Sequence, residues 1–227
     1  MKNIFFFFAL FIAFSSIAQN SNQVELEKKK LKQALIYGDQ STATNMMYNI
    51  IALEGEKSAY KDSLAYLYFN RRSYLSCFLA TEDALKNNPN NVELLEMSAF
   101  SVESLGAYDK AITRFEKLLS VTNNNFHAYK VAALYFQVNK FDEAYAAVKK
   151  ANALPDSGKE NISFPINKNY NQPVPLKAAI IYLKGLTEQN LENKTAAKES
   201  FEKAMQLFPE FILAKDALSN LEVKPTE

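Results

Sequence analysis

Five small residues, Ala43, Cys77, Ala111, Ala144 and Ala197, hold the same place in a recurring amphipathic segment, at intervals of 34, 34, 33 and 53 residues. The interval of 53 is one more period plus an insertion of nineteen or twenty residues. Aromatic residues stand three positions earlier, at Tyr74, Tyr108 and Phe141. Met47, Thr81, Phe115, Val148 and Phe201 follow four positions after the small residue, and Ile50, Ala84, Leu118, Ala151 and Ala204 three further on. Spacings of three and four put these side chains on one face of a helix. A period near 34 is that of a helical hairpin that cannot bury its apolar face alone and stacks on its neighbours. No other feature limits the fold so tightly.

Small residues such as Ala65, Ala132 and Gly185, together with the series above, let two helices approach closely where they cross. Gly106 falls in the turn between helices, where a residue without Cβ is favoured. Pro89 and Pro209 close two units, because proline cannot continue a helix. The chain resembles the tetratricopeptide repeat (TPR) family, whose unit carries a W-x2-L-G-x2-Y…A-x3-F…P pattern. "SLAYLYFNRRSYLSCFLATEDALKNNP" matches through Leu64, Ala65, Tyr68, Tyr74, Ala84 and Pro89, and "LGAYDKAITRFEKLL" through Gly106, Tyr108, Ala111 and Phe115. "YLKGLTEQNLENKTAAKESFEKAMQLFP" matches through Gly185, Ala197, Phe201, Ala204 and Pro209. The chain departs from the pattern in having no tryptophan and in placing Thr81 where an aromatic is usual.

The resemblance implies an all-α fold, an α-solenoid of about five TPR-like hairpins with a C-terminal capping helix. The expected repeats cover residues 24–57, 58–91, 92–124, 125–154 and 178–210, with the capping helix at 211–222. Residues 155–175, "PDSGKENISFPINKNYNQPVP", interrupt the period with four prolines and read as a long loop. Phe164, Ile166 and Tyr170 are apolar enough to dock that loop on the array or on a partner.

Lys2, an apolar run from Ile4 to Phe14 and "SSIAQN" form the three parts of a secretory signal peptide, with cleavage expected after Ala18. The run is too short to span a bilayer, and no integral membrane segment is expected after cleavage. The expected location is the periplasm of a bacterium, from the short Phe-rich leader and the lysine-rich, arginine-poor usage. Losing Lys2 leaves basic and acidic side chains equal in number, a balance that argues against a nucleic-acid partner. Lys28, Lys29, Lys30 and Lys32 are offset locally by Glu25 and Glu27. Cys77 is the one cysteine, so no intrachain disulfide forms, and it packs where other units use alanine.

Catalytic residues are not expected. His127 is the only histidine and reads as a helix-surface or loop-proximal side chain, and Glu93, Glu96 and Glu103 lack a second cluster at metal-ligand spacing. No glycine-rich phosphate loop is present, and neither cofactor nor metal is expected. In TPR arrays the first helix of each hairpin lines a concave face that takes peptides or helices. Carrying that register over places Tyr66, Phe69, Asn70, Glu96, Phe100, Glu103, Phe126, Tyr129, Phe136, Gln137, Tyr182, Gln189 and Asn190 on a binding groove for a protein or peptide. Inter-repeat core is the alternative place for each ring, since one residue turns a helix by about 100°. The family's carboxylate clamp is not matched, because Lys28 and Lys32 lie on the first unit and the next offers Asp62 and Tyr66. An adaptor in a cell-envelope assembly is the expected function. A self-associating structural protein of the envelope is the alternative.

Overall fold

The structure, a computed structural model, describes residues 21–156 and 158–222. The expected signal peptide therefore lies outside the described residues. Helix α1 covers 21–36, followed by α2 (Gln40–Glu54), α3 (Tyr60–Asn70), α4 (Tyr74–Ala84), α5 (Val92–Ser104), α6 (Tyr108–Thr122), α7 (Asn125–Gln137) and α8 (Phe141–Ala153). Strands β1 (Asn161–Asn167) and β2 (Tyr170–Pro175) come next, then α9 (Leu176–Asn190), α10 (Lys194–Leu207) and α11 (Ile212–Glu222). The all-α repeat array expected from the period is the fold observed, with one β-hairpin added. Among the described residues no helix is long and apolar enough to cross a membrane. The chain divides into two compact units, Met1–Ser101 and Val102–Glu227.

Every small residue of the 34-residue series, and both apolar series that follow it, is buried, none more than 4% exposed. The period exists because these positions have no room to vary. Gly185 shows the constraint best. A Cβ built there would stand 2.6 Å from Cε1 and 2.7 Å from Cδ1 of Phe201, so helices α9 and α10 meet only because the side chain is absent. Cys77 is fully buried in the same series, and burial pushes its thiol above the usual value.

The turns repeat as faithfully as the helices. Gly38, Arg72, Gly106, Asn139 and Glu192 each stand five residues before a small residue, and each has φ between 56° and 73°. At every one, the next residue's N–H reaches back five positions: Asp39 to Ala34, Ser73 to Tyr68, Ala107 to Val102, Lys140 to Tyr135 and Asn193 to Glu188, all at 2.9–3.0 Å. This is the Schellman arrangement, which satisfies carbonyls that the helix end would leave open. Glycine meets the left-handed backbone at two of the five; Arg72, Asn139 and Glu192 adopt it with a Cβ present.

In the first unit the core gathers Leu31, Ala34, Met47, Ile50, Leu64 and Leu67 from α1, α2 and α3. In the second it centres on α9, with Phe201 and Phe211 fully buried against it. Glu188 is buried there too, accepting hydrogen bonds from Lys184 and from Ser200 Oγ (2.6 Å). Lys184 also donates to Ser200 Oγ at 3.0 Å.

Most of the expected 155–175 loop is β-structure. Residues 161–167 and 170–175 pair antiparallel as a hairpin. The segment "NISFPIN" alternates exposed and half-buried residues, turning Ile162, Phe164 and Ile166 inward. Val174 and Gln172 of β2 are buried. The Gln172 side chain clamps the start of α11, its Nε2 donating to the Glu210 carbonyl (2.6 Å) while its Oε1 accepts from the Ile212 N–H (3.1 Å). The prolines that argued for a loop fit the ladder because of their parity. Asn161 faces Pro175, Ser163 faces Pro173 and Pro165 faces Asn171. The Leu176 N–H donates to Glu160 O, so the even-numbered pairs carry the hydrogen bonds and the prolines occupy outward-facing positions.

Candidate functional site

The groove expected from the sequence divides in two when placed on the structure. In the first unit, Tyr66 (62% exposed) and Asn70 lie on the open face of α3 and line a cleft of about 590 Å³. Leu35 and Gly38 at the end of α1 form one wall, and Leu94 and Met97 on α5 form the other. Met47 and Leu67 close the floor, and both are buried. Asp39, Asp62 and Glu93 also line this cleft. A shallower depression adjoins it, sharing Leu35, Met47 and Ser63 and adding Lys32 and Ile36.

Each acidic group has a different local setting. Asp39 caps α2, accepting from the Thr42 N–H (3.0 Å) and Thr42 Oγ1 (2.6 Å), which holds its carboxyl below the usual range. Asp62 is moved the other way, because burial raises it and the Glu93 charge raises it further. Two lysines of the α1 cluster are engaged elsewhere. Lys28 pairs with Glu54 at 3.1 Å and lies over the Tyr60 ring, and Lys30 pairs with Glu27 at 2.7 Å. Lys61 pairs with Asp83 at 2.7 Å.

Other rings assigned to the groove are packing residues. Phe69 is half-buried edge-on to Tyr74 (6.4 Å between centroids), and Phe136 stands likewise against Phe141 (5.5 Å). Each lies five positions before the repeated aromatic, so that aromatic covers the end of the first helix in its own hairpin. Tyr129 and Tyr182 are each 8% exposed, and burial drives both hydroxyls above their usual values. The groove placement of these two is corrected. Tyr182 meets Phe164 of the hairpin at 5.7 Å and Phe211 at 4.8 Å, so the insertion covers the surface that the repeat register assigned to a ligand.

The remaining positions are mixed. Glu96, Phe100, Phe126 and Gln189 are half-buried, and Gln137 and Asn190 are exposed. Glu103 is held by Lys130 at 2.5 Å. On the hairpin, Phe164 is docked, Ile166 is half-buried and Tyr170 is 47% exposed. His127 is buried rather than on the helix surface, its Nδ1 2.8 Å from Thr122 Oγ1. Among the described residues no group of three or more His, Cys, Asp or Glu could hold a metal ion.

The sequence reading passed over Leu35, Ile36 and Tyr37, which are 52%, 70% and 74% exposed. Three consecutive apolar residues directly before a turn glycine were the available signal, since a helix end normally turns at least one of them inward.

Comparison with known proteins agrees with this architecture. Residues 178–211 match the tetratricopeptide repeat family. No curated protein sequence matches the chain. Among solved structures, YrrB, described as a TPR protein with an unusual peptide-binding site, superposes with a TM-score of 0.66 at 16% identity, over 91% of this chain and 97% of YrrB. A MamA structure gives 0.58 at 21% identity, over 74% of this chain and 81% of MamA. MamA from residue 41 onward of Desulfovibrio magneticus RS-1 gives 0.59 at 15% identity, over 83% and 97%. At such identities the likeness concerns the fold. The chain carries a tetratricopeptide repeat at residues 178–211 and has the fold of a tetratricopeptide repeat protein.

Proposed function

We propose that this protein is an exported adaptor that binds a protein or peptide partner in the cleft of its first unit. The observation that carries the reading is the cleft itself, an open concavity of about 590 Å³ lined by Leu35, Tyr66, Leu94 and Met97. Half-exposed aromatic and aliphatic side chains around a concavity are the surface on which binding energy concentrates. YrrB, a protein of the same fold, is described as having a peptide-binding site, which makes a peptide a reasonable occupant here. The leader pattern ending at Ala18 supports export, and a partner in the cell envelope belongs to that reading. No residue on the cleft has the nucleophile–base geometry of an enzyme, and we read the protein as a binding module.

The test is affinity capture from envelope extract with the wild type beside a Tyr66→Ala, Leu35→Ser double variant of equal helicity. A partner held by the wild type and lost by the variant is the expected result. Equal retention by both would refute the cleft as the site. Intact mass of the protein recovered from the envelope fraction checks the leader, with Gln19 expected as the first residue.

One observation favours a second reading, self-association. Leu75 and Leu79, one turn apart on α4, are 60% and 59% exposed, and Tyr48 on α2 is 51% exposed. Sedimentation equilibrium would then show a concentration-dependent dimer that Leu79→Lys dissociates.

A further inference from the structure

The chemistry of the first-unit cleft is selective enough to name the kind of peptide it takes, an inference that rests on the adaptor reading above. Its buried lining is apolar, with Met47 4%, Leu94 1% and Met97 9% exposed. Its mouth is acidic: Asp62 from α3 and Glu93 from α5 approach one another, with Asp39 at the α1–α2 turn. Asp39 is occupied by its capping bonds to Thr42. Neither Asp62 nor Glu93 enters an ion pair with a described residue, and the basic side chains nearest to them in sequence, Lys61 and Lys86, are both committed to Asp83. Lys32 lies in the adjoining depression, so the two ends of the combined surface differ in charge.

Two carboxylates converging on a partly dehydrated mouth repel, and among the described residues no cation pairs with either. A ligand cation between them gains two charge-assisted interactions at once. Tyr66, more than half exposed on the same wall, offers a ring face against which the aliphatic stem or the charge of that residue can rest. The buried methionines and Leu94 take an adjacent apolar side chain, and thioethers adapt to its shape.

We propose that the occupant is a peptide segment carrying lysine or arginine next to an apolar side chain, its cation seated between Asp62 and Glu93 and its apolar neighbour on Met47, Leu94 and Met97. An acidic or carboxyl-terminal ligand is disfavoured by the same charges.

The test pans a random dodecapeptide display library against the wild type, against Tyr66→Ala, and against Asp62→Asn/Glu93→Gln, all shown equally helical by circular dichroism. Peptides enriched by the wild type over Tyr66→Ala are expected to place Lys or Arg beside Leu, Ile, Phe or Met. The best of them, synthesised with a fluorophore and followed by anisotropy, should bind the double carboxamide variant about tenfold more weakly. If enriched peptides are neutral or acidic, or the double variant binds within about twofold of the wild type, the cationic occupant is overturned while the cleft stands. If the wild type enriches nothing over Tyr66→Ala, the adaptor reading falls with it. A peptide-free dimer that Tyr66→Ala dissolves would put a second copy in the cleft and overturn the proposal.

Discussion

Gly185→Ala sets two effects of opposite sign against each other. Gly185 lies inside α9, where alanine is intrinsically favoured over glycine by about 1 kcal/mol. The added methyl would stand 2.6 Å and 2.7 Å from two Phe201 ring carbons, closer than packed atoms tolerate. Phe201 cannot yield easily, being fully buried with Tyr182 at 5.8 Å. Overpacking of this kind costs about 1–3 kcal/mol, and since the ring is enclosed the upper part of that range applies. The net expectation is a loss of about 1–2 kcal/mol despite the better helix former. Urea unfolding followed by circular dichroism reads it, with amide exchange in α9 and α10 locating the loss, since repeat arrays need not unfold in one step. A double-mutant cycle isolates the contact. Phe201→Leu shortens the ring side chain, so the pair Gly185→Ala/Phe201→Leu should be less destabilised than the sum of its parts by about 1 kcal/mol. Gly185→Ala at or above wild-type stability, or strict additivity in the cycle, would refute the reasoning.

Four further outcomes are expected. Tyr129→Ala should cost about 3–5 kcal/mol as a buried ring lost, whereas Tyr66→Ala should stay within about 0.5 kcal/mol, both by urea titration. Glu192→Gly should stabilise by about 1 kcal/mol, because Glu192 holds φ 60° with a Cβ present; no gain would mean that the turn is not strained. Lys184→Met, which leaves the Glu188 carboxylate with Ser200 alone, should cost about 3 kcal/mol against about 1 kcal/mol for Glu188→Gln, and the reverse order would contradict the network as drawn. Glu27 is held below its usual range by Asn49 and Lys30, and Asp83 by Lys61 and Lys86. Depressed carboxyls contribute fully above their unfolded values and lose that contribution as pH falls through the folded ones. The urea midpoint should therefore drop below about pH 4, less steeply in Glu27→Gln/Asp83→Asn; Asp62, shifted upward, acts in the opposite sense.

The repeat was legible because its residues answer to geometry that hardly varies. Ala43, Cys77, Ala111, Ala144 and Ala197 sit where two helices cross, and any larger side chain there would force the helices apart. The turns were half legible: Gly38 and Gly106 announce a left-handed residue, but Arg72, Asn139 and Glu192 occupy the same place without the tell-tale glycine. Phe69 and Phe136 were put on the groove because helical periodicity says which residues share a face, not which neighbour covers that face. Tyr182 was misplaced for a separate reason, since Phe164, which covers it, belongs to an insertion the period cannot see. That insertion was read as a loop from its prolines, although the alternation in "NISFPIN" was there to be counted. Of the residues lining the first-unit cleft, Tyr66 and Asn70 follow from the repeat register, while the convergence of Asp62 and Glu93 is something no linear pattern expresses.

The placement of prolines in the hairpin decides what that surface can never become. A two-stranded ribbon has two free edges, each a template for a further strand from another molecule. Here the outer donors of β1 are interrupted at Pro165, and those of β2 at Pro173 and Pro175. An incoming strand would find gaps where it needs N–H groups, so the ribbon ends the sheet at two strands. A newly made chain passes through an unfolded state among other unfolded chains, where an open edge invites polymerisation. The same residues that hid the hairpin from the sequence reading thus let the second unit carry β-structure without recruiting more of it. Any partner that meets this face must recognise side chains rather than backbone.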